Sequence, residues 1–206
     1  MLMLLLSNPL IAQPTFSGTV RNATNSNPVS GADLDVFDLA GRPVAVTGAK
    51  TAADGTYTIS LPDTGSYIVR VDLPNGSPLV DQYYGGGLLK SQATPLELLT
   101  LDTQLTGIDF SLTTGHAITG RVTGSGTSPG IIDLDLYAGN GEFMGSYPAR
   151  TAADGTFTIG ALPNGTYFLK ADPDPALGQY FVPSFFNGKD TKEIADPITI
   201  SDASVT

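Results

Sequence analysis

Apolar and polar residues alternate with a period of two in many short stretches of this chain. In Asp33–Asp38, Leu34 and Val36 alternate with Asp33 and Asp35, so one face is apolar and the other acidic. That is the pattern of a half-buried β-strand. Tyr57 and Ile59 alternate with Thr56 and Thr58; Tyr67, Val69 and Val71 share a face, with Arg70 on the opposite one. Ile108, Phe110 and Leu112 alternate with Asp109 and Ser111. No stretch sustains a helical apolar period between proper caps. About seven such strands in a hundred residues predict a two-sheet antiparallel sandwich.

The pattern occurs twice. "TAADGTYTI" begins at Thr51 and "TAADGTFTI" at Thr151; "DLDVF" begins at Asp33 and "DLDLY" at Asp133. Gly65–Ser66–Tyr67 answers Gly165–Thr166–Tyr167, and Tyr83–Tyr84 answers Phe185–Phe186. Self-similarity at this period predicts two tandem modules, about 15–114 and 115–206. In this register Thr206 aligns with Thr106, so "GIDFSL" of the first module has no partner and the second is expected to lack its last strand. Two explanations stay open: the chain is a fragment of a longer protein, or a neighbouring chain supplies the strand by edge addition.

Turn chemistry punctuates the strands. Each "AADG" is expected to be a hairpin turn, with Ala-Asp (Asp54 or Asp154) in a type I turn and Gly55 or Gly155 taking the positive φ that follows. "LPDTG" at Leu61–Gly65 spells a sortase signal, yet no apolar span and basic tail follow it. Its counterpart "ALPNG" keeps the Leu-Pro and the glycine but loses the signal. Both stretches are predicted to be hairpin turns, with Gly65 and Gly165 supplying a positive dihedral.

Composition narrows the function classes. Glycine (24) and proline (15) are abundant and only 15% of residues are charged, as expected for many short strands joined by turns. The net charge of −10 argues against nucleic acid and anionic membrane surfaces. The absence of cysteine removes disulfides, thiolate catalysis and Cys-based zinc sites. Residues 1–14 are apolar up to Ile11 and resemble the end of a secretory signal with cleavage after Ala12, although the first basic residue is Arg21. Insertion of the mature modules into a membrane is not expected.

The order of a G-x-V strand, "PVSGADLDVFD" (Pro28–Asp38), "TAADGTYTI" and a Leu-Pro turn resembles the carboxypeptidase regulatory-like and Cna B-type modules. The second copy departs from this where "SPGIIDLDLY" (Ser128–Tyr137) replaces the Gly-Ala step. The resemblance implies a prealbumin-like β-sandwich, non-catalytic, often in tandem, in secreted or cell-surface proteins beside further domains. Some Cna B-type modules carry a Lys–Asn isopeptide bond with the lysine in the first strand; "FSGTVRN" and "ITGRVTG" have none, so none is expected. Transthyretin-like purine-pathway hydrolases use several histidines and a C-terminal motif that this chain lacks.

Candidate chemistry is sparse. His116, the one histidine, has no motif around it and reads as a linker or strand-start residue. Asp33/Asp35 and Asp133/Asp135 fall on strand faces without the density of a calcium loop, and read as solvated faces rather than metal ligands. Gly85–Gly87 reads as a flexible loop tip. Tyr83, Tyr84, Phe185 and Phe186 fall in loops. They are either ligand-binding rings for a glycan or a surface protein, or caps under which the core closes, the second being commoner for loop aromatics. The expectation is therefore a spacer module without cofactor, metal or enzymatic activity, with a carbohydrate- or protein-binding adhesion module as the second reading.

Overall fold

The computed structural model describes residues 12–74, 76–124, 129–144, 149–175, 178, 179 and 181–206. The signal-like stretch up to Ile11 and Ser128 of the departing motif lie outside the described residues. The fold is all-β, and the chain divides into two compact units. One holds the residues up to Leu73 with Asp81–Leu112; the other holds Pro74–Val80 with Thr113–Thr206.

The first unit contains β1 (Thr15–Asn22), β2 (Asp33–Asp38), β3 (Thr56–Ser60), β4 (Gly65–Asp72), β5 (Gln82–Tyr83), β6 (Leu96–Leu98), β7 (Gln104–Leu105) and β8 (Phe110–Leu112). One sheet has the order β3-β1-β7, with β8 also on β1; the other has β2-β4-β5, with β6 on β4. Phe16, Val20, Tyr57 and Ile59 from the first sheet and Leu34, Val36, Val69 and Val71 from the second are buried. These are the apolar positions of the alternating pattern, so the core follows from it directly. β1 runs antiparallel to β3 but parallel to β7 and β8.

The second unit contains β9 (His116–Arg121), β10 (Asp133–Ala138), β11 (Ala149–Arg150), β12 (Thr156–Leu162), β13 (Gly165–Asp172), β14 (Ser184–Phe185) and β15 (Ile198–Ile200). β12 pairs with β9, and the other sheet has the order β11-β10-β13-β14 with β15 on β13. A parallel bridge from Ile118 to Val205 matches Phe16 to Leu105 in the first unit. No counterpart of β8 occurs among the described residues of this unit.

The AADG stretches are turns with the expected positive φ at glycine, but they are not hairpins: in the second unit β11 and β12, which flank the turn, lie in different sheets. Gly55 and Gly155 sit at φ +80° and +87°, and Asp54 and Asp154 each accept bonds from the backbone and hydroxyl of the threonine two residues on, at 3.0 and 2.7 Å. These bonds hold both carboxyls below the usual carboxylate range.

The Leu-Pro stretches are not hairpin turns. β3 and β4 lie in different sheets, as do β12 and β13, so each stretch is a corner that carries the chain across the sandwich. Gly65 stands at φ +158°, at the border of extended backbone, and Gly165 has no positive φ, so neither supplies a left-handed turn. The corner is held by tyrosine instead. Tyr67 donates its hydroxyl to the Asp63 carbonyl at 2.8 Å, and Tyr167 donates to the Pro163 carbonyl at 2.7 Å. A ring that starts a strand and bonds back across the bend ties the bend to the core, as in the tyrosine corner of other sandwiches.

A second device recurs at the first residue of each TAADGT. Thr51 and Thr151 are buried. Thr51 Oγ1 accepts from the Ala32 N–H at 3.0 Å and donates to the Val29 carbonyl at 2.7 Å. Thr151 Oγ1 accepts from the Ile132 N–H and donates to the Gly130 carbonyl, both at 2.8 Å.

Candidate functional site

The four loop aromatics occupy different environments. Tyr83 ends β5 opposite Arg70 and is half-buried. Tyr84 is also half-buried, and its ring meets Phe110 edge-on at 5.9 Å. Phe185 is buried and packs on Tyr137 at 5.9 Å, whereas Phe186 is 45% exposed. So one ring of the second pair caps its module and the other faces solvent.

The Gly85–Gly87 stretch is tied to its own base by backbone bonds. Tyr83 N–H donates to the Gly87 carbonyl at 2.8 Å, and Thr94 N–H to the Tyr84 carbonyl at 2.7 Å. Gly85 stands at φ +100°, and a Cβ there would meet Thr94 Oγ1 at 2.3 Å. Glycine is required because the loop folds back on its own base.

The acidic faces are ion-paired rather than merely solvated. Asp33 meets Lys50 at 2.6 Å, and Arg70 on β4 sits among Asp35 at 3.8 Å, Asp72 and Asp81 at 4.0 Å. The second module repeats this: Arg150 meets Asp133 at 2.5 Å, and Lys170 meets Asp135 at 3.4 Å and Asp172 at 3.0 Å. Cross-strand partners explain the arrangement, since Asp35 is opposite Arg70 and Asp135 opposite Lys170. Sequence reading placed the carboxylates on strand faces but missed their partners, which for Asp35 and Asp135 come from a strand about 35 residues away and for Asp33 and Asp133 from residues 17 positions on. Burial pushes the Asp81 carboxyl up to about 6, with the Leu73 N–H opposing it.

Beside this face, in the second module, Tyr137 packs on Phe143 at 5.4 Å and carries the Lys192 ammonium 5.4 Å from its ring centre. Phe143 is 54% exposed. His116 opens β9 opposite Leu162 and is half-buried. Among the described residues no three His, Cys, Asp or Glu side chains come together as a metal-binding group, and no helix is long and apolar enough to cross a membrane.

Residues 15–84 match the model of the carboxypeptidase regulatory-like domain, so the expected resemblance holds over most of the first module. No curated protein matches the chain. Among solved structures, it is similar to the TIE protein of Bacillus anthracis at 15% identity and a TM-score of 0.38, covering 94% of this chain and 33% of that one. It is similar to a streptococcal ancillary pilin at 15% identity and a TM-score of 0.38, covering 95% of this chain and 61% of that one. A minor pilin of Streptococcus agalactiae is similar at 13% identity and a TM-score of 0.37, covering 93% and 92% of the two chains. The chain thus spans about a third and three fifths of the first two proteins.

Proposed function

We propose that the chain is a pair of non-catalytic structural modules, acting as a spacer in a secreted or surface-exposed bacterial protein. The observation that carries this reading is duplication. The same corner tyrosine, buried threonine, AADG turn and outer ion pairs are built twice, and each serves a sandwich core or its surface. The outer ion pairs join residues on neighbouring strands in both modules. The test is antibody labelling of intact cells that express the natural protein, together with glycan and surface-protein arrays probed with this chain. Surface labelling without array binding is the expected result; labelling only after lysis would refute the placement.

The second reading is an adhesion module. It is favoured by one observation, the exposed rings of Phe143 and Phe186 on the second module. Rings of this kind stack on sugars or anchor a partner protein. Array binding that is lost in Phe143→Ala or Phe186→Ala would establish it over the spacer alone.

A further inference from the structure

The two modules differ on the outer face of one sheet, built by β2, β4 and β5 in the first and by β10, β13 and β14 in the second. Phe37 and Tyr137 hold the same place there. Each is bridged by a residue of the loop that follows its strand, Pro43 in the first module and Phe143 in the second. Each lies opposite the neighbouring strand, at Ile68 or at Phe168. So where the first module has a proline and an isoleucine 6% exposed, the second has two phenylalanines, Phe143 54% exposed and Phe168 half-buried.

Tyr137 is the centre of this aromatic group. Phe143 meets it at 5.4 Å with the rings inclined by 56°, and Phe185 at 5.9 Å and 42°. The surface is stepped, and Phe143 is the step that water reaches. The fold does not require a phenylalanine here, since the first module makes the same bridge with proline.

The polar neighbours narrow what such a face can hold. Lys192 spends its ammonium on the Tyr137 ring and on the Gly141 carbonyl at 3.0 Å. Asp135 and Asp172 share Lys170 at 3.4 and 3.0 Å. These charges are matched to one another, so they do not select an ion. A paired carboxylate nevertheless keeps lone pairs that accept from hydroxyls. Main-chain groups beside the rings are used within the loop: Ala138 N–H donates to the Glu142 carbonyl at 2.9 Å, and Met144 N–H to the Leu136 carbonyl at 3.1 Å. A peptide that adds as a strand draws its affinity from such groups and would find them taken. A pyranose fits better, because it presents an apolar C–H face to a ring and hydroxyls around its rim.

We infer that Phe143 and Tyr137 form a binding site for a neutral pyranose of a glycan chain. Phe143 stacks on the sugar ring. The Asp135 carboxylate, two residues before Tyr137 on the same face, accepts from the sugar hydroxyls. This inference rests on the adhesion reading, and gives it a ligand class and a site that leaves out Phe186.

The test uses the whole chain with Phe143→Trp, which keeps an aromatic ring and introduces a single tryptophan. The probes are neutral oligosaccharides of glucose, xylose, mannose, galactose and N-acetylglucosamine, titrated in turn. The expected result is a saturable change of tryptophan emission with at least one of them, and binding of the same sugar to the unaltered chain by calorimetry. Phe143→Pro, which installs the residue of the first module, weakens that binding about tenfold or more with the melting temperature kept. Phe143→Ser gives the same loss without constraining the backbone. Phe186→Ala leaves the affinity unchanged, and so does a tenfold rise in salt, because no ion pair is formed. No response at millimolar sugar, equal affinity in Phe143→Pro, or a salt-sensitive preference for acidic sugars overturns the inference. Sugar binding lost only in Phe186→Ala, or capture on a surface-protein array without sugar binding, overturns this site and leaves the adhesion reading standing. Silence of both sugars and surface proteins removes both.

Discussion

Thr51 and Thr151 are polar side chains inside apolar cores, and each has its hydroxyl used both as donor and as acceptor. A buried hydroxyl without partners would cost a few kcal/mol, whereas one that bonds two backbone groups fixes the turn against the next strand. Asp81 is a harder case. Its side chain is 28% exposed beside Arg70 and its carboxyl is raised to about 6 from an unfolded value of 3.8. The folded state therefore binds more protons than the unfolded state between those values. Its favourable contribution is fully present below about pH 4 and is lost as pH rises through about 6. Asp81→Asn should stabilise the first module at pH 7 by about 1–2 kcal/mol and by almost nothing at pH 4, read from urea midpoints at the two pH values.

At the scale of the element, glycines that look equivalent in sequence have different duties. Gly155 stands at φ +87°, and a Cβ would meet the Val122 carbonyl oxygen at 2.3 Å; Gly165 has no positive φ, and a Cβ would rest at 3.4–3.6 Å against the Tyr167 ring. Gly155→Ala should cost about 1–3 kcal/mol, and Gly165→Ala no more than about 0.5 kcal/mol, measured by chemical denaturation. The AADG turn was legible because aspartate and glycine act locally there. The Leu-Pro corner was not, because its defining bond runs from a tyrosine ring to a carbonyl across the bend. Strand existence and facing were legible for Leu34, Val36, Tyr57 and Ile59, since alternation encodes burial. Alternation does not encode the partner, so the parallel pairing of β1 with β7 and β8 and the salt bridges of Arg70 and Lys170 appear only in three dimensions.

For the whole molecule, the repeat was the most readable feature, because near-identical nonapeptides recur 100 residues apart. The grouping of Pro74–Val80 with Thr113–Thr206 was not readable. It rests on backbone bonds such as Gly115 N–H to the Pro78 carbonyl at 2.8 Å and Val80 N–H to the Thr113 carbonyl at 2.9 Å, which carry no side-chain signature. The candidate rings were partly readable. Phe186 and Phe185 differ because one lies under the loop and the other on it, and two adjacent aromatics in a loop do not say which is which. The net charge of −10 is distributed over faces where Asp33, Asp35, Asp133 and Asp135 all have cationic neighbours, which limits self-repulsion at the sheet surfaces.

The corner tyrosines also set a limit on the alkaline side. Burial pushes the Tyr167 phenol up to about 12, and it raises those of Tyr67 and Tyr57 above their ordinary value of 10.0. Each of these hydroxyls can serve as a donor only while it keeps its proton. Stability drawn from them is complete below about pH 10, where the unfolded phenol ionises, and drains away as pH climbs through the folded values. Phenolate absorbance should therefore rise in two stages, first from the accessible rings and then, together with loss of the β-sheet circular dichroism, from the corner tyrosines. A single smooth phenolate titration that precedes any loss of structure would mean that the corners do not hold the sandwich shut. For a protein read as a surface spacer, the hydroxyl that bends the chain from one sheet to the other is also the fuse that opens it in strong base.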